Sequence, residues 1–250
     1  MNKILFLLCF SFLLMQCTVE DAVSENAVSG SYATLLVVND YMYGVNDEEL
    51  ATFDLKNDKD PILIDFQNVG FGIENIYHID GILFIGSVSA LHIYEIQSNG
   101  IPVSSSTTNY FEADMTSCDP VISDGQFAYV TLSTSAAVGP CGRWEQINEL
   151  RIYNVEDVNN PVLVSTTLME FPKGLAIDGD YLFVCEGNSG LKVFNILDRE
   201  NPTEIEFIEG FETFDVIAKD GLLMVTNSTE IRQYDYTDIN NIIYLSSIDL

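Results

Sequence analysis

The chain has 250 residues, with 10 Lys+Arg against 38 Asp+Glu and a formal net charge of −28. Binding to nucleic acid rests on neutralising phosphate with Lys and Arg, so this excess of acid excludes it and disfavours anionic lipid surfaces too. At 47% hydrophobic, with 15 Phe and 12 Tyr, the composition suits a packed core, and two His without a Cys-x-x-Cys pair leave little for a zinc centre, so no metal site is assigned.

Residues 1–16 read as an export leader. Lys3 gives a positive start, and the run ILFLLCFSFLLM to Met15 suits a signal-peptide core while falling short of the ~20 residues that cross a bilayer. Gln16-Cys17 follows, and the chain then turns polar through Thr18, Glu20 and Asp21. Leu14-Met15-Gln16-Cys17 resembles the lipobox of bacterial lipoproteins, and the acidic pair after it is similar to the surface-export signal of Bacteroidota lipoproteins. The resemblance implies acylation of Cys17, residues 17–30 as lipidated N-terminus and tether, and an outer-membrane or cell-surface address with no transmembrane helix in the mature chain. Gln16 departs from the usual Gly, Ala or Ser, so conventional cleavage nearby and a retained anchor stand as competing readings. Acyl chains contribute ~0.8 kcal/mol per buried CH₂, which holds a protein at a membrane that its own surface would not bind.

A repeat organises residues 31–250. An aromatic–polar–apolar column runs through Phe53-Asp54-Leu55, Tyr94-Glu95-Ile96, Tyr153-Asn154-Val155, Phe194-Asn195-Ile196 and Tyr234-Asp235-Tyr236. Further along stand Pro61, Pro102, Pro161 and Pro202, with Ile242 in the fifth copy. A second column is Asp-Gly, at 80–81, 124–125, 178–179 and 220–221, with Val38-Asn39 at that place in the first copy. Asp-Gly between β-rich runs signals a tight hairpin, because both central positions of a type I′ turn need φ > 0. Proline suits the start of an outer strand, where no ladder donor is required. Each unit therefore predicts four short antiparallel strands, and such units at this period are the sequence form of β-propeller blades. The expected blades are 31–70, 71–111, 112–171, 172–211 and 212–250, in a single all-β propeller closed by packing alone. The columns resemble the LVIVD repeats of bacterial and archaeal surface propellers; the resemblance implies fold and surface location and brings no catalytic motif.

The third copy is longer than the others, and its excess, Ser133 to Asn148, lies between its second and third strands. It holds Cys141, Arg143 and Trp144, the single tryptophan. Cys118 enters the same copy's first strand, at the same end of the blade. A Cys118–Cys141 disulfide is expected in an oxidising compartment, where closing that loop stabilises by about 3 kcal/mol on the chain-entropy account. Cys185, inside Leu182-Phe183-Val184-Cys185, reads as a buried small hydrophobe.

Five residues before each Asp-Gly stand Ala33, Asn75, Asp119, Lys173 and Asp215. In register these would ring a channel mouth, with Arg143 and Trp144 overhanging it. An aromatic beside charged and amide groups suits a glycan or protein partner; the competing reading is that these groups cap loops and face water. Glycan hydrolysis or lysis by paired carboxylates from Glu74, Asp119 and Asp215 is the catalytic alternative. His78 and His92 lack a neighbouring nucleophile motif and read as strand residues. The acidic turns Asp54–Asp60 and Asp157–Asn160 do not follow the spaced calcium-loop pattern, and turn chemistry accounts for them. No cofactor-binding pattern is present.

Overall fold

The computed structural model describes residues 34–57, 59–110, 120–134 and 147–250. Cys17, Cys118, Asp119, Cys141, Arg143 and Trp144 lie outside the described residues, and with them the expected acylation and disulfide.

The alternating runs form five four-stranded antiparallel sheets, each a simple meander in chain order. The first holds β1 (Leu35–Val38), β2 (Tyr41–Val45), β3 (Glu49–Asp54) and β4 (Ile62–Asn68). The second holds β5 (Ile73–Ile79), β6 (Ile82–Ser87), β7 (Ala90–Ile96) and β8 (Pro102–Asn109). The third holds β9 (Val121–Ser123), β10 (Phe127–Ser133), β11 (Asn148–Asn154) and β12 (Val162–Leu168). The fourth holds β13 (Leu175–Asp178), β14 (Tyr181–Cys185), β15 (Gly190–Asn195) and β16 (Thr203–Glu209). The fifth holds β17 (Asp215–Lys219), β18 (Leu222–Thr226), β19 (Glu230–Asp235) and β20 (Ile243–Asp249). The described residues are all-β, as the repeat predicts for propeller blades.

The Asp-Gly column does not build one turn throughout. At 80–81 and 220–221 the pair is the whole loop, and both residues have φ between 49° and 85°. In the fourth sheet Asp178 is still paired, with Tyr181, so Gly179-Asp180 makes the turn. In the third sheet Ser123 pairs with Ala128, and Asp124 Oδ1 accepts the N–H of Gln126 and Phe127 across a longer loop. The aromatic column carries a feature that spacing alone did not disclose. In every sheet the register between third and fourth strands shifts just before the aromatic: Thr52/Phe53, Ile93/Tyr94, Ile152/Tyr153, Val193/Phe194 and Gln233/Tyr234. A bulge bends and twists its strand locally.

Each of the three inner sheets buries two faces. Its front packs on the preceding sheet and its back on the following one, so the core is a series of seams. The first seam sets Tyr43 and Leu50 against Ile76, Leu83, Ile85 and Tyr94. The second sets Phe84, Leu91 and Ile93 against Val121, Val130 and Tyr153, and the third sets Tyr129, Leu150 and Ile152 against Leu175, Leu182 and Phe194. The fourth sets Phe183, Leu191 and Val193 against Val216, Leu223 and Tyr234. Among the described residues no such cluster joins the fifth sheet to the first. Leu35 and Val37, on the front of the first sheet, are 55% and 50% exposed.

Candidate functional site

The sheets present two ends. One carries the two-residue hairpins and the turns into the fourth strands; the other carries the connections between sheets and the loops between second and third strands. Asn75, Lys173 and Asp215 all belong to the second end, as does the long loop from β10 to β11.

The structure gives these residues different work. Asn75 is fully buried. Its Nδ2 donates to Val121 O at 2.8 Å, and its Oδ1 accepts from Val121 N and Gly86 N, both at 3.2 Å. Its amide is spent tying the second sheet to the third, at the irregular step of β5 between Ile73 and Asn75.

Lys173 and Asp215 come together at the seam between the fourth and fifth sheets. Lys173 lies on the connection from β12 to β13, its carbonyl accepting the hydroxyl of Thr131 at 2.6 Å and its N–H bonding Cys185 O. Its ammonium sits between two rings, 4.8 Å from the centroid of Phe171 and 4.9 Å from that of Phe214. All three side chains are half-buried, a setting in which a cation over a ring gains about 0.5–2 kcal/mol. Asp215 opens β17 beside them, so close to the chain that a Cβ on Gly174 would stand 2.2 Å from its Oδ1.

Beneath this surface lies a carboxylate that the sequence reading passed over. Glu186 has no exposed area, and its carboxylate accepts the N–H of Phe171 at 2.8 Å and of Glu170 at 3.2 Å. Lys192 Nζ stands 3.2 Å from it and 3.4 Å from Glu204. Burial opposes the charge on Lys192, yet its bonds to the two carboxylates leave its pKa raised. Thr213 Oγ1 accepts the N–H of Glu186 and donates to Gly190 O. Glu186 thus fixes the backbone that presents Phe171, two residues from Lys173. Cys185 is wholly buried and free, and burial, with Asp215 adding to it, pushes its thiol well above the ordinary range. Its expected role as a small hydrophobe is what the core shows.

The two histidines are structural. His92 is buried, with Ser87 Oγ 3.2 Å from Nε2 and Thr107 Oγ1 3.1 Å from Nδ1; burial lowers its pKa to about 4. His78 Nε2 accepts the N–H of Gly81, closing the hairpin, and burial lowers its pKa as well. The acidic turns use their oxygens locally: Asp54 accepts from Lys56 N and Asp157 from Asn159 N.

Among the described residues, two clefts open at the hairpin end. One, of about 430 Å³, lies between the first and second sheets against Tyr41, Tyr43, His78 and Asp80. The other, of about 590 Å³, lies between the fourth and fifth sheets against Asp178, Asp180, Asp220, Tyr236 and Asp238, with Tyr236 OH bonded to Asp178. Asp beside a hairpin is ordinary turn chemistry, so their spacing gave no reason to single them out.

No family model matches the sequence, and no curated protein matches it. Solved structures do resemble it in fold. The periplasmic gluconolactonase PpgL of Pseudomonas aeruginosa superposes with a TM-score of 0.65 at 14% identity, over 84% of this chain and 68% of that one. A protein from Lactobacillus plantarum gives 0.60 at 14% identity, over 86% of this chain and 70% of the other. AztD of Citrobacter koseri gives 0.59 at 12% identity, over 87% and 61%. This chain therefore spans roughly two thirds of the length of the structures that it resembles, and at these identities the likeness concerns fold alone.

Proposed function

We propose that the chain is an exported, lipid-anchored bacterial propeller of the LVIVD-repeat type, held at the cell envelope through Cys17, that binds a glycan or protein partner without transforming it. The observation that carries this reading is the group formed by Phe171, Lys173, Phe214 and Asp215. It offers two half-buried aromatic rings with a cation over them and a carboxylate on one surface, held from below by buried Glu186. Apolar faces with a few fixed polar groups are what a sugar ring or a peptide side chain needs. The loop between β10 and β11, with Arg143 and Trp144, departs from the same end and would extend that surface. The test is a glycan and peptide array probed with the wild type and with the Phe171→Ala and Phe214→Ala variants. A ligand retained by the wild type and lost by both folded variants supports the reading; ligands indifferent to both substitutions oppose it.

The likeness to a gluconolactonase favours one second reading, hydrolysis at the same end by Glu74, Asp119 and Asp215. It requires turnover of a lactone or glycan that Asp215→Asn abolishes while folding is kept. Binding without turnover sets it aside.

A further inference from the structure

The two terminal sheets differ from the inner ones at equivalent positions. Leu35, paired with Gly44, occupies in the first sheet the place of Ile76, Leu175 and Val216 in later ones. Those three are 1% exposed; Leu35 is 55% exposed. Met42 takes the place of Leu83, Leu182 and Leu223, all fully buried, yet it is only half-buried. Phe53 is the member of the aromatic column that is not buried, whereas Tyr94, Tyr153, Phe194 and Tyr234 are. Pairing continues this front face across the sheet through Leu35–Gly44–Ala51–Phe66 and Val37–Met42–Phe53–Leu63. Every one of those eight residues is apolar.

The back of the fifth sheet shows the reciprocal deficit. Met224 stands where Tyr43, Phe84, Tyr129 and Phe183 are buried, and Ile231 where Leu50, Leu91, Leu150 and Leu191 are. Ile217, Met224 and Ile231 remain half-buried, and Leu222 and Ile248 are exposed. The bare front is apolar and the bare back is mixed, with Gln233 and Ser246 beside Met224 and Thr226 beside Ile231; an apolar sheet face left open marks an interaction surface, and a repeat array needs its ends capped.

We infer that the front of the first sheet and the back of the fifth are the two halves of a head-to-tail interface between copies of this chain. Four seams within the chain each pair a front with a preceding back, so the chemistry that fits a bare front is a back. Among the described residues the bare back is that of the fifth sheet, and no core cluster joins it to the first sheet. A second copy supplies the missing face in the same geometry, as a fifth seam made between molecules. Such a contact is heterologous: it leaves one front and one back free, and closes only when the copies complete a ring. The strongly acidic surface works against it at low ionic strength, so salt strengthens it.

The test is sedimentation velocity of the purified full chain over a hundredfold range of concentration, at low and high salt. The expected result is a concentration-dependent dimer or larger species that salt favours. Leu35→Glu on the front and Met224→Glu on the back should each sediment as monomers with unchanged circular dichroism. Mixed together they should form a hetero-dimer, because each variant keeps the half that the other lacks. A monomeric wild type at all concentrations overturns the proposal, as self-closure of the ring would produce. So does a wild-type dimer that both variants retain, or one that mixing fails to restore, which is the behaviour of a symmetric interface. Should either variant fail to fold, Val37→Lys and Ile231→Lys probe the same two faces.

Discussion

Replacing Asn75 by alanine separates a structural amide from a ligand-binding one. The substitution removes three hydrogen bonds, to Val121 O, Val121 N and Gly86 N, and leaves those backbone groups without that partner where the side chain was fully buried. A neutral hydrogen bond contributes about 1 kcal/mol net, and a buried group left unpaired costs about 1–3 kcal/mol. The sum for this site is a loss of about 3–5 kcal/mol. For a chain of this size 1 kcal/mol moves Tm by about 2–4 °C, so the variant should melt about 6–20 °C lower. Urea unfolding followed by circular dichroism reads the loss as a shift in midpoint at unchanged slope. Any ligand found for the wild type should still bind the folded fraction. A loss below about 1 kcal/mol, or abolished binding at unchanged stability, would refute the assignment and return Asn75 to the recognition surface.

Three further outcomes follow from buried groups. Glu186→Gln keeps one acceptor for the N–H of Phe171 and strips Lys192 of its buried partner; it should cost about 2–3 kcal/mol in urea unfolding, and a neutral result would show that the pair is idle. Burial holds His92 at about 4, below the 6.5 of the unfolded chain. Its contribution is therefore complete above pH 6.5 and is lost as pH falls toward 4, by about 3 kcal/mol over the whole window. His92→Gln should flatten that part of the stability profile, and an unchanged slope would contradict the assignment. Cys185 should be inert to a thiol reagent at pH 8 in the native state and react once unfolded, because burial both hides the thiol and raises its pKa; rapid native labelling would contradict its place in the core.

The fold was legible because the repeat wrote the same constraints five times. Period-two runs, Asp-Gly and proline each recur in phase, and together they placed the strands of all five sheets. What spacing could not convey was local geometry. Asp178 and Asp80 carry the same dipeptide, yet one ends a strand and the other forms the turn, since a neighbour's register decides between two hairpins of similar energy. The bulge before each aromatic is likewise invisible, because a shift in pairing leaves the third strand's alternation intact. At the site, Lys173 and Asp215 could be found by counting from the hairpins. Asn75 was found by the same count but turned inward to a seam, which only the fold reveals. Glu186 was missed because a glutamate ending an apolar strand usually reaches solvent, and its burial depends on the N–H groups of Glu170 and Phe171 and on Lys192, brought from separate elements. The exposure of Leu35 was not legible either, because Leu35 and Ile76 look alike in sequence; what differs is whether a described sheet packs in front of them.

The most direct test of the account is an intact-mass measurement with a non-reducing peptide map of the chain expressed with its own leader in a Gram-negative host. The account predicts a mature chain beginning at an acylated Cys17 and a cross-linked pair of peptides joining Cys118 to Cys141, which would fix the address and pin the long loop to the end that carries Lys173 and Asp215. Cleavage elsewhere without acyl mass, or two free thiols at 118 and 141, would contradict it.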